Sequence, residues 1–207
     1  MISDHQNVLS RRQPSPSHRP PSRRRGFTLI EMLVVIVIIG VLAALLLPAV
    51  SAARKYGRRA TALTEAKQIE TAWKQYYSEY ERWPTTIGYT SGAVRISGDV
   101  AAILHSGDDV VGDNPKHLQF MQFKRVNADG TPVTPYARIE RDDAATPDEH
   151  YYWAMFDMNY DNRIEADTTT PDADDPLTNT IQRSVIVWTV NDDVPPDDEL
   201  YIIGSWK

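Results

Sequence analysis

The 207 residues contain no cysteine. A disulfide framework and a thiolate metal centre are therefore both excluded. Histidine is nearly as scarce. Three of the five, His105, His117 and His150, lie beyond position 26, and none has the H-x-x-x-H spacing of a helix-borne zinc site. There is no G-x-S-x-G elbow and no phosphate loop. Carboxylates abound, but in acidic loops without apolar shielding, so nothing selects a general acid and its partner. An enzyme is not expected.

What is present is unevenly distributed. Residues 1–26 hold six arginines against one acid, Asp4, a charge of +5 in a chain of net charge -6, which leaves -11 on the other 181 residues. A nucleic-acid-binding protein needs its basic surface on the folded part, so no nucleic-acid partner is expected. A basic head on an acidic body fits membrane orientation, with arginines retained in the cytoplasm and the body exported.

From Phe27 to Val50 only Thr28 and Glu31 are clearly polar. As a helix this run reaches about 36 Å, enough for a bilayer core of about 30 Å. It is longer than the apolar region of a cleavable secretory signal, so it is expected to remain as an anchor. A carboxylate placed in lipid costs a few kcal/mol, and such groups usually have a partner. The run offers Glu31 no cation. The stretch "RRRGFTLIEMLVVIVIIGVLAALLLPAV" resembles the class III signal of type IV pilins and type II secretion pseudopilins. The resemblance implies cleavage by a prepilin peptidase after Gly26, N-methylation of Phe27, and a role for Glu31 in assembly, paired with the new amino group of a neighbouring subunit. It also implies that Gly40 and Pro48, both unfavourable in helices, mark a segment that can lose helical structure in the fibre.

Beyond the anchor, Tyr56, Ala60, Leu63, Ala66, Ile69, Trp73, Tyr76 and Tyr80 recur at steps of three or four, one face of an amphipathic helix that Pro84 terminates. The chain thus divides into a basic leader (1–26), a transmembrane and assembly helix (27–50), an amphipathic helix (51–83) and a β-rich head (84–207). "RWPTT" at 82–86 resembles the turn that follows this helix in the major pseudopilins. Residues 88–116 read as a loop with a short helix near Val100–His105. "HLQFMQFKRV", "NADG" and "TPVTPYARIE" read as a hairpin, and "HYYWAMFD", "RSVIVWTV" and "LYIIGSW" as further strands. A long helix on a small antiparallel sheet is an α+β arrangement, and the resemblance implies the pilin-like fold.

Two acidic loops suggest calcium. Residues 142–175 hold eleven acids and one base, Arg163. Within them Asp157, Asn159 and Asp161 alternate, and hard calcium takes such oxygens together with a backbone carbonyl such as that of Arg163. This is half of an EF-hand loop: Asn162 replaces its glycine and Thr168 its bidentate glutamate. In the second, "VWTVNDDVPPDDELYIIGSW" resembles the calcium-binding end of the major, G-type pseudopilin. Asp192, Asp193, Asp197 and Asp198 are the ligands it implies, with Asn191 and Val194 where the family tends to glycine. The function implied is a structural subunit of a type II secretion pseudopilus, held in the inner membrane by a single pass with its head in the periplasm. Its partners would be copies of itself, other pseudopilins, the prepilin peptidase, the inner-membrane assembly platform and membrane lipid. The alternatives are a minor type IV or competence pilin, or a membrane-tethered calcium-binding periplasmic domain.

Overall fold

The computed structural model describes residues 26–88, 92–107, 109, 112–136, 150–165, 180–196 and 198–207. The chain separates into two compact units, Met1–Leu46 and Leu47–Lys207. Helix α1, Leu29–Tyr80, runs through both, with Pro48 inside it. In the first unit every described residue of α1 is exposed, Leu33, Ile36 and Ile39 among them. This stretch is long and apolar enough to cross a membrane.

In the second unit α1 gains a core. Ala62, Ala66, Ile69, Trp73 and Tyr76 are buried at alternating steps of four and three. The stripe expected from Tyr56 therefore starts later: Tyr56 is 71% exposed and Ala60 is exposed, and the first buried residue of α1 is Ala62. The helix also ends earlier than Trp83. Glu81 adopts a left-handed φ of 56° and its N–H donates to the Tyr77 carbonyl (2.8 Å), which closes the last turn. Trp83 is thereby free to pack against Tyr77 and Phe156.

The remaining elements are a 3-10 turn (Thr85–Ile87), β1 (Val94–Arg95), α2 (Gly98–His105), β2 (Trp153–Phe156), β3 (Val185–Val190) and β4 (Ile202–Gly204). The strands form one antiparallel sheet in the order β1-β2-β3-β4. The fold is α+β, as expected, and its two sheet faces have different covers. Ala154, Phe156, Val185 and Val187 pack with α1 and with Val100, Ile103 and Leu104 of α2. Met155, Ile186, Trp188 and Val190 meet Ile164 and the side chain of Trp206. All six residues of β3 are buried, five of them apolar, as a strand covered on both faces should be. Gly204 pairs with Trp188, and a Cβ added there would sit 2.3 Å from the Trp206 ring. The glycine is the notch that lets Trp206 lie beside Trp188, edge to face, at 6.4 Å.

The expected hairpin is reduced to its turn. The Gly130 N–H donates to Asn127 O (3.1 Å), and Val126 and Pro132 form an isolated bridge. Its first arm is drawn elsewhere: the N–H groups of Phe120 and Met121 donate to Leu104 O at the end of α2. In the second arm Pro132 and Pro135 have no N–H to offer a ladder. Residues 137–140 of that arm lie outside the described residues.

Candidate functional site

The residues around the expected cleavage point form a compact device. Gly26, Phe27 and Thr28 precede the helix and are exposed, Phe27 by 77%. Thr28 is the cap of α1. Its N–H and its hydroxyl both donate to Glu31 Oε2, each at 2.7 Å, and the Glu31 N–H donates back to Thr28 Oγ1 at 3.2 Å. This is a capping box: the first turn of a helix leaves N–H groups unpaired, and threonine with a glutamate three residues on satisfies them reciprocally. The resemblance implies a partner for Glu31 in another chain. A hydrogen-bonding partner lies three residues away, and Glu31 Oε1 accepts no bond among the described residues.

Gly40 and Pro48 both sit within α1. Among the described residues no atom comes within 4 Å of a Cβ placed at Gly40, so their packing does not demand glycine there. At Pro48 the missing N–H leaves the carbonyl one turn back without its helical donor. The Ser51 hydroxyl donates to Pro48 O at 2.8 Å.

The first acidic loop is built by Asp157 at the end of β2. Asp157 is 4% exposed, and its two oxygens accept the N–H groups of Asp161 (3.2 Å) and Asn162 (2.6 Å). Asn159 Oδ1 accepts the N–H of Asp161 and Asp161 Oδ1 that of Arg163. Asn162 takes a φ of 59°, the left-handed turn that glycine supplies in the EF-hand pattern. Trp83 Nε1 donates to the Asp157 carbonyl (2.8 Å) and Tyr160 stacks on Tyr77, so the loop is moored to the end of α1. Among the described residues no group of three or more histidine and acidic side chains converges to hold a metal.

The second acidic loop meets two side chains from elsewhere in the protein. Arg58 of α1 holds Asp193 through both its Nε (3.2 Å) and Nη2 (2.5 Å), and His150 pairs with Asp192. Asp198 Oδ1 accepts the N–H of Leu200 at 2.8 Å. Asp197 lies outside the described residues. Two of the four carboxylates that the resemblance implies as calcium ligands, Asp192 and Asp193, thus already have partners within the chain.

Two further acids, Asp113 and Glu70, are buried. Asp113 is fully buried and accepts the N–H groups of Thr85 and Thr86 (2.8 Å each), the Thr86 hydroxyl (2.7 Å) and Arg82 Nη1 (2.9 Å). It is the organiser of the "RWPTT" turn. Burial alone would raise its pKa, but these donors outweigh burial and hold it below the ordinary 3.8. Glu70, on the core face of α1, is met by Lys74 (2.5 Å) and Arg183 (2.8 Å). Burial opposes its charge as well, yet these cations and Ser205 keep its pKa below 4.5. The unpaired donors of the Thr-Thr turn were the only local hint of Asp113, and the acid that answers them is 27 residues away.

Residues 21–47 match the family model of the prokaryotic N-terminal methylation motif. The chain is 41% identical over 64 residues to type II secretion system core protein G of Pectobacterium carotovorum subsp. carotovorum, covering 31% of this chain and 41% of that protein. Over its N-terminal segment the chain is similar to pilins and pseudopilins. It is also 41% identical over 61 residues to type IV major pilin protein PilA of Myxococcus xanthus (strain DK1622), covering 30% and 28%. With core protein G of Escherichia coli (strain K12) it shares 38% over 68 residues, covering 33% and 47%. The chain spans less than half the length of these relatives. No solved structure matches it.

Proposed function

We propose that this chain is a structural subunit of a type II secretion pseudopilus: an inner-membrane precursor, cut between Gly26 and Phe27 and methylated at Phe27, that packs side by side with its copies into a periplasmic fibre. The observation that carries this reading is the capping box beside an exposed cleavage point. Both groups that Thr28 contributes lie after the cut, so the box survives processing. One oxygen of Glu31 is held in place and the other is left for a cation. The amine created at Phe27 of an adjacent copy is a group of matching charge, and in lipid such a pair is stronger than in water. The wholly exposed apolar stretch of α1 supplies the surface along which copies pack.

The decisive experiment coexpresses the chain with a prepilin peptidase. An intact mass starting at methylated Phe27 is expected, and an uncut chain would favour the tethered-domain reading. Processed Glu31→Gln should then fail to form fibres. Fibres as abundant as those of the parent would overturn the pairing. The match to a type IV pilin supports a second reading, a minor or competence pilin. Gene deletion that abolishes secretion and spares twitching and DNA uptake selects the pseudopilus.

Calcium belongs to the proposal chiefly at the first loop, where Asp157, Asn159, Asp161 and the Arg163 carbonyl would hold it and the left-handed Asn162 fits the required turn. Bound there, calcium would supply a cross-link the cysteine-free chain otherwise lacks. At the second loop a calcium ion would have to displace Arg58 from Asp193 and His150 from Asp192. Melting curves with and without calcium, on the parent, Asp157→Ala and Asp193→Ala, separate the two loops. No shift in the parent retires the metal.

A further inference from the structure

Just beyond the apolar run, α1 carries "ARKYGRR" at positions 53–59. Four cations within six residues, on the side of the membrane opposite the arginine-rich leader, run against the usual charge distribution around a spanning helix. One of them is accounted for: Arg58 is bound by Asp193. Arg54 and Lys55 are exposed and have no hydrogen-bond or ion-pair partner among the described residues. Tyr56, next in line, is 71% exposed. Consecutive residues of a helix are turned by about 100°, so Arg54, Lys55 and Tyr56 point in three directions and ring α1. With a rise of about 1.5 Å per residue they lie about 6–9 Å past Val50. The polar layer of a bilayer extends about 5–8 Å beyond its hydrocarbon core on each side. Arginine and lysine reach back along their own stems, and tyrosine favours this boundary.

We propose that Arg54 and Lys55, with Tyr56, form a binding collar for acidic phospholipid headgroups on the outer leaflet of the inner membrane. The occupant follows from charge and continuity. The surface leading up to the collar is exposed aliphatic side chain suited to acyl tails, and the collar itself is cationic at headgroup depth. The collar holds the precursor at a fixed depth before it leaves the bilayer, and its lipids must be exchanged when the fibre takes the subunit up. This inference rests on the membrane-spanning reading of α1.

The test uses the full chain in nanodiscs of phosphatidylcholine alone and of an equal mixture of phosphatidylcholine and phosphatidylglycerol, with retained lipid counted by native mass spectrometry. The parent should retain phosphatidylglycerol preferentially. Arg54→Gln and Lys55→Gln should each lower that preference about fivefold, Arg54→Lys should preserve it, and raised salt should weaken it. Equal retention of the two lipids by the parent, or an unchanged preference in the double glutamine variant, overturns the collar. If the variants keep the lipid preference but lose fibre assembly, the cations serve contacts between subunits and the collar is again overturned. A parent chain that does not enter phosphatidylcholine nanodiscs at all refutes the spanning reading instead.

Discussion

The same helix behaves as two different objects. Up to Leu46 it is an aliphatic rod whose described residues are all exposed, and its one acid, Glu31, is tethered to Thr28 at the helix start. From Ala62 to Tyr76 it is the spine of a core, and its buried acid, Glu70, is met by Lys74 and Arg183. Both halves are helical and both place a carboxylate in apolar company. The upper half is buried by the head, whereas every described residue of the lower half is exposed. A stripe one-third of the helix circumference wide marks a helix that folds onto its own domain, and a helix apolar all round marks one that needs other molecules.

That contrast can be broken most severely by deleting large side chains from each half. Trp73→Ala should cost the head about 3–5 kcal/mol in chemical unfolding of the full chain in detergent, because Trp73 is fully buried between Tyr76 and Phe156. Ile39→Ala, in the exposed half, should change the same measurement by no more than about 0.5 kcal/mol while weakening fibres. Comparable losses from the two would mean that the anchor packs on the head.

Next in size, Asp113→Ala should lose about 2–3 kcal/mol by leaving the donors of the Thr85–Thr86 turn unmatched. Its pH dependence has a definite sign. The folded pKa lies below the ordinary 3.8, so the contribution is complete at neutral pH and disappears as pH falls from about 4 through the folded value. Acid titration of the parent should show this loss, and Asp113→Asn should flatten it. Asp157→Ala should cost about 1–2 kcal/mol without calcium, since it removes the acceptor of two backbone N–H groups, and should abolish any calcium-induced rise in melting temperature. Among the side chains of the head and its contacts the smallest effect is at Arg58: Arg58→Ala should cost no more than about 1 kcal/mol, because Arg58 is 41% exposed in its pair with Asp193. A larger loss would make the second acidic loop a structural clamp on α1.

The sequence made some of this plain and hid the rest for physical reasons. The anchor, the core stripe from Ala66 to Tyr76 and strands β2 to β4 are each specified by residues close together in the chain. The two-residue β1 was invisible, because Val94–Arg95 has no period of its own and exists only by pairing with β2. The hairpin misled because the turn "NADG" is sound while Phe120 and Met121 are captured by Leu104. In the candidate site, the Thr28–Glu31 spacing is a capping-box signature that a threonine and a glutamate three residues apart make legible in the sequence. Asp113 and His150 act across 27 and 42 residues, and no local pattern predicts such partners.

The notch at Gly204 has a practical corollary. The last turn of the chain is shut by an indole lying in a vacated side-chain position, assisted by the Lys207 ammonium donating to Ile202 O at 3.0 Å. Closure of this kind is indifferent to redox potential. The head should reach the same folded state in a reducing cytosol as in an oxidising compartment, and reductants that unravel a sulfur-clasped domain should leave this one intact.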